Sequence, residues 1–234
     1  MHHAILQQAV STVLAWPLEG HERMARDAAS DTLLRAEAGG VLGGVSEGGR
    51  ERLREILRAM AGFVQHADVE DAVSGGHFRP WGQMQHFMRF SGRTEADSVR
   101  LAVDSLWNYA DEAVFWYRRG ETGRAKSSLG RALHGLQDSF SPAHVKREKD
   151  ENGILVIKGL FEYTAQDKTE HEEGDEGYKT GEGAEAPYSE LGKATVVASQ
   201  MLLSYFVLRA IGREAEAADA RQKLGDTYLR EALP

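Results

Sequence analysis

The strongest constraint on how this chain can fold lies in residues 125–144. Ala125, Leu129, Ala132, Leu133, Leu136 and Phe140 recur at helical spacing, which predicts a helix with one buried stripe. His134 and Asp138 lie beside that stripe, four residues apart, so their side chains project from one face, one above the other. Pro142 is expected to end the helix, and the turn after it swings His144 back towards the same point. Ser127, Gly130 and Ser141, all small, flank the pair and are expected to leave room for ions and a substrate. A surface His–Asp pair at helical spacing is common. Three convergent ligands within eleven residues are a metal-site nucleus, and they make an enzyme the first hypothesis.

At 234 residues the chain can bury a full core, most simply as one domain. Its net charge of −8 argues against coating duplex DNA by phosphate neutralisation, though not against a nuclease whose bound ions bring their own positive charge. There is no cysteine, so disulfides, thiolate-zinc sites and a cysteine nucleophile are excluded. Any metal must then be held by His, Asp, Glu or backbone. The most apolar segment, Val196 to Leu208, is interrupted by Ser199, Gln200 and Ser204 and is too short for a transmembrane segment. Val13-Leu14-Ala15 before Trp16 fits a leader cleavage pattern, so residues 1–15 read as a leader or an N-terminal extension and 16–234 as the helical domain. Against a leader stand the missing basic start and the interruption at Gln7 and Gln8. A secreted or periplasmic location is favoured by a small margin over a cytoplasmic one.

The expected fold class is all-α, a single-domain helical bundle with long site-forming loops and one short β-hairpin. Helices are expected over 21–38, 50–66, 94–119, 188–211 and 214–231, besides the one that carries His134. Thr94 with Asp97 caps the third of these, and Val99, Val103, Leu106, Trp107, Ala110, Val114 and Tyr117 form its buried stripe. Gly120 then turns the chain into the His134 helix, which predicts an antiparallel hairpin of the two. The glycine run 39–44 with Gly48 and Gly49 reads as a connector. Residues 66–93 lose all periodicity but hold histidines, carboxylates and aromatics, and so read as a site-forming loop. The hairpin is expected from 154–157 and 160–163, turning at Lys158-Gly159. An acidic, glycine-rich stretch over 165–187 holds His171 and Asp175.

Seven histidines lie away from the N-terminus, most near carboxylates or in aperiodic segments: His21, His66, His77, His86, His134, His144 and His171. The pattern His134-x3-Asp138-x5-His144, with Gln137 before the Asp and Pro142 two before the His, resembles the shared motif of the zinc-dependent phospholipase C and single-strand-specific nuclease superfamily. The likeness runs in collinear order from about Trp16 to Asp175. It implies an all-helical fold with up to three zinc ions in a cleft that cleaves phosphodiester bonds. His134 and Asp138 would bind one zinc, with Asp138 bridging to a second. His144 would bind another with His171 and Asp175. Asp68 would be a metal-binding carboxylate that also orients the attacking water, which makes it the catalytic candidate. His86 fits the family's His-Phe position, with His77 its competitor. Trp16 and His21, five residues apart, resemble the nuclease start, where Trp16 would serve only as a processed N-terminus.

What the resemblance implies is a metal-dependent hydrolase that needs no nucleophilic side chain. The phospholipase branch, acting on phospholipid head groups at a membrane surface, stands slightly ahead of the nuclease branch, whose substrate would be single-stranded nucleic acid. Trp81, Phe87 and Phe90 could stack on bases or touch acyl chains. The non-enzyme alternative is a helical protein that keeps a purely structural metal site.

Overall fold

The helix predicted around His134 forms and becomes the centre of the molecule. A computed structural model describes residues 18–65, 79–89, 91–162, 178–180 and 186–231. In chain order these form α1 (Leu18–Ala38), α2 (Glu47–Arg58), a short helical stretch over 60–65, α3 (Pro80–Gln85), α4 (Glu95–Arg118), α5 (Thr122–Asp138), β1 (Val145–Lys149), β2 (Leu155–Leu160), α6 (Glu190–Ala210) and α7 (Glu214–Tyr228). The fold is all-α with one two-stranded antiparallel sheet.

α4 and α5 pack along each other as the expected hairpin, turned by Gly120 at φ 79°. α6 lies across α1, α4 and α5 and packs along α7, while α5 also touches α1, α2 and α3. This explains why α5 is buried nearly all round from Ser128 to its end instead of along one stripe. All five stripe residues within α5, and Phe140 just beyond it, are at most 1% exposed, the leucines and the phenylalanine each contributing about 1.5–3 kcal/mol by leaving water. α6 is long and apolar enough by length and composition to cross a membrane, which departs from the sequence reading. Its Ala198, Leu202, Leu203, Phe206 and Val207 are buried among the other helices, the placement of a core helix. On the same helix Val197 is 39% exposed, and on α1 Leu33 is partly buried while Leu34 faces out.

The caps follow side-chain chemistry. Thr94 accepts the Asp97 N–H at 3.0 Å, Ser46 accepts that of Gly49 at 3.2 Å and Ser189 that of Gly192 at 3.0 Å. The Ser46 cap draws Gly48 and Gly49 out of the expected connector and into the first turn of α2. A turn at Ala59 interrupts the helix expected over 50–66. Part of the expected loop is helical as well: Pro80 starts α3, its fixed φ suiting a first helical position.

The hairpin is real but displaced. β1 pairs with β2 from Val145↔Leu160 to Lys149↔Leu155, so Lys158 and Gly159 lie within a strand and not at its turn. The turn forms instead at Asp150, whose Oδ1 accepts the N–H of Asn152 and of Ile154, each at 2.9 Å, while Gly153 takes φ 76°. An Asp that closes a turn through its own side chain outcompetes a Lys-Gly pair, which offers only the glycine.

Candidate metal centre

Five of the predicted ligands meet inside the bundle. On α1, His21 shares a helical face with Met24, Ala25 and Ala28, all 0% exposed, and this face packs against α5 and α6. His134 and Asp138 come from the last turns of α5. The helix ends at Asp138, four residues before the exposed Pro142, so a tight turn and not the proline stops it. In that turn Ser141 O accepts the N–H of His144 at 3.0 Å and of Val145 at 2.9 Å, which brings His144 back over Asp138. Phe161 N–H donates to His144 O at 2.8 Å and pins the turn to the end of β2.

His86 caps the C-terminus of α3. The residue after it, Phe87, has φ 53° and is fully buried. Phe87 N–H reaches Met84 O at 3.2 Å and Met88 N–H reaches Gln83 O at 2.8 Å, the paired bonds of a left-handed helix stop. Glycine is the usual residue there, and a side chain costs about 1–2 kcal/mol. The Phe87 ring is held in the core and is not available to bases or acyl chains, whereas Trp81 is 39% exposed.

All five side chains are at most 1% exposed, and they surround one carboxylate. Asp138 Oδ2 lies 2.8 Å from His86 Nδ1, 3.0 Å from His134 Nε2 and 3.6 Å from His144 Nδ1. Its Oδ1 lies 3.3 Å from His21 Nε2. The two oxygens thus face different histidines, as a bridging carboxylate would require. The His21 and His134 rings are 4.6 Å apart and those of His86 and His134 are 4.7 Å apart.

Burial works against ionising Asp138, but the charges of His134 and His144 outweigh it and hold the carboxyl well below the usual range. Two imidazoles are oriented from behind. His21 Nδ1 meets Gln137 Oε1 at 2.6 Å, and His144 Nδ1 meets the backbone O of His86 at 2.6 Å. Each oxygen can accept a proton held on Nδ1, and in a neutral ring that arrangement would turn the Nε2 lone pair away from it.

His21, His134 and Asp138 form a buried group that could hold a metal ion, their ligand atoms within 4.8 Å of one another. The donor set of imidazole and carboxylate, with orienting carbonyls behind it, fits a divalent transition metal. His134 Nε2 stands 2.9 Å from His86 Nδ1. With Asp138 Oδ2, 2.8 and 3.0 Å away, these atoms make a triangle slightly tighter than the ~3.3 Å edge of a tetrahedron with 2.0 Å bonds. Among the described residues no hydrogen bond reaches Asp138 Oδ1, a buried carboxylate oxygen that asks for a cation.

No family model, curated protein or solved structure matches this chain.

Of the sequence candidates, His21, His86, His134, Asp138 and His144 come together. Trp16, Asp68, His77, His171 and Asp175 lie outside the described residues. Tyr178, three residues after Asp175, has a buried ring that packs on Gly20, the residue before His21. Of the three small residues expected to leave room, Gly130 admits backbone instead: a Cβ there would stand 2.6 Å from Phe63 O, and one at Gly135, on the same helix, would stand 2.7 Å from Gln85 O. Sequence reasoning missed Gln137 and the His86 carbonyl as orienting groups. It also missed Arg147, which donates to Ser139 O at 2.6 Å and Tyr228 O at 2.8 Å and so fastens the end of α5 to the end of α7. The only local signal for Gln137 was its place before the aspartate in the motif.

Proposed function

We propose that this protein is a zinc-dependent phosphodiester hydrolase of the phospholipase C type. The observation that carries the reading is the convergence of four buried imidazoles on the two oxygens of one ionised carboxylate, Asp138. A cation cluster of this kind, without cysteine, is suited to hydrolysis and unsuited to thiolate or redox chemistry.

In this reading His21, His86, His134 and Asp138 would hold two of the zinc ions, with Asp138 common to both, and His144 would help to hold a third. Asp68, His171 and Asp175 would complete the ligand set, and Asp68 would orient the attacking water. Bound zinc would supply a water acidified towards neutrality and positive charge for the phosphate oxygens and the leaving alkoxide. The protein's own part is to hold the imidazoles neutral and aimed, to keep Asp138 ionised, and to exclude bulk water from the ions. The exposed Trp81, on the short helix that leads into His86, suits contact with a lipid surface.

The test is zinc content followed by two assays. Two or more zinc ions per chain, with turnover of phosphatidylcholine vesicles, is the expected result. Cleavage of single-stranded DNA without lipid turnover would replace the substrate with nucleic acid. Zinc bound without either activity would leave a structural metal site, and fewer than two ions per chain would count against catalysis.

A further inference from the structure

We propose that Gln137 is a positioning residue that fixes the tautomer and aim of His21 towards the Asp138 carboxylate. The inference rests on the metal-centre reading above and goes beyond it, because it concerns a residue that would touch no ion.

Gln137 Oε1 and His21 Nδ1 are 2.6 Å apart, both residues are 0% exposed, and 116 positions separate them in the chain. Gln137 directly precedes Asp138 on α5, so its backbone moves with the carboxylate. The bond therefore sets the position of His21 relative to Asp138 and not merely to the bundle.

The proton count settles on one arrangement. Two tautomers of a neutral His21 could sit here. In one, Nε2–H would donate to Asp138 Oδ1 and the glutamine amide would turn its N–H to Nδ1. In that arrangement the proton would serve the longer contact, 3.3 Å from Nε2 to Oδ1, while the shorter one, 2.6 Å from Nδ1 to the glutamine, would pair two nitrogens at less than their usual spacing. In the other, Nδ1–H donates to Gln137 Oε1, and the Nε2 lone pair and the Oδ1 lone pairs face one another across the gap. Two lone pairs opposed in a buried space repel unless a cation lies between them. Gln137 thus holds His21 in the form that a metal needs and that the carboxylate alone would not select. His144, whose Nδ1 meets the fixed backbone carbonyl of His86, has the same arrangement from the main chain. For His21 the acceptor is a side chain, and it can be replaced.

The experiment uses the full-length protein and Q137L, Q137E, H21A and the H21A/Q137L double variant. Zinc affinity is measured by competition with a chromophoric chelator. The ring proton of His21 is located by nitrogen–proton correlation spectra of the metal-free protein. Expected are an Nδ1 proton in the wild type and a loss of roughly 10–100-fold in affinity for one ion in Q137L. Q137E, which restores an acceptor, should recover most of that loss, and Q137L should add nothing in the H21A background. An equal loss from Q137L with and without His21 would overturn the inference, leaving Gln137 as packing. An Nε2 proton in the wild type would overturn it too. A protein that binds no zinc yet keeps the Nδ1 proton would sink the metal reading and leave the positioning intact.

Discussion

At the scale of single residues, the centre depends on Asp138 more than on any one histidine, because both its oxygens are committed. Asp138→Asn keeps the volume but removes the charge, and zinc affinity should fall about 100-fold or more, read by chelator competition. Phe87 offers a test of backbone strain at the same site. Phe87→Ala loses the buried ring and keeps the left-handed strain, costing about 3–5 kcal/mol. Phe87→Gly loses the ring but relieves the strain, so it should be the more stable of the two by about 1 kcal/mol in denaturant unfolding. Equal stabilities would show that the φ of 53° carries no cost. His134, Asp138 and His144 were legible because helical geometry over a few residues fixes their relation. The pairing of Gln137 with His21 was not, since nothing local to either residue announces a partner 116 positions away.

Among the elements, α5 is held by contacts that need missing side chains. Gly130→Ala would force a methyl to within 2.6 Å of Phe63 O. The backbone must give, with a cost of about 1–3 kcal/mol, and zinc affinity should weaken because His134 lies one turn further along. Gly62→Ala, which meets open space, is the control. In the hairpin, the N–H groups of Ile154 and Asn152 and the charge of Arg230 hold the Asp150 carboxyl below its ordinary value of 3.8. A carboxyl whose pKa is lowered by folding stabilises above its unfolded value, and that contribution is lost as the pH falls through the folded one. Wild type should therefore be more stable than Asp150→Asn above about pH 4, with the gap closing in acid, as acid unfolding curves would show. The main helices were legible from their period and caps, since burial of one face is written into the spacing. The strand register was not: Lys158-Gly159 and Asp150–Gly153 are both plausible turns, and only the side-chain bonds of Asp150 decide between them.

For the molecule as a whole, a bound metal would be linked to folding. Zinc at 100 times its dissociation constant should add about 2.7 kcal/mol, which raises the melting temperature by roughly 5–10 °C for a chain of this size, and chelator should reverse it. A melting temperature indifferent to zinc would leave the centre without a resident ion. The all-α architecture was legible in the sequence, but the enclosure of α5 from Ser128 onwards was not, because it depends on which helices surround it. Enclosure also has a geometric consequence. The backbone of Phe63 meets α5 at Gly130 and that of Gln85 meets it at Gly135, five residues or about 7.5 Å apart along the axis, with His134 between. Two separate stretches of main chain therefore brace the helix on either side of one candidate ligand, and the aim of His134 is set by how closely both can approach. A methyl at either glycine should push one brace away, so Gly135→Ala should weaken zinc affinity as Gly130→Ala does, read by the same chelator competition.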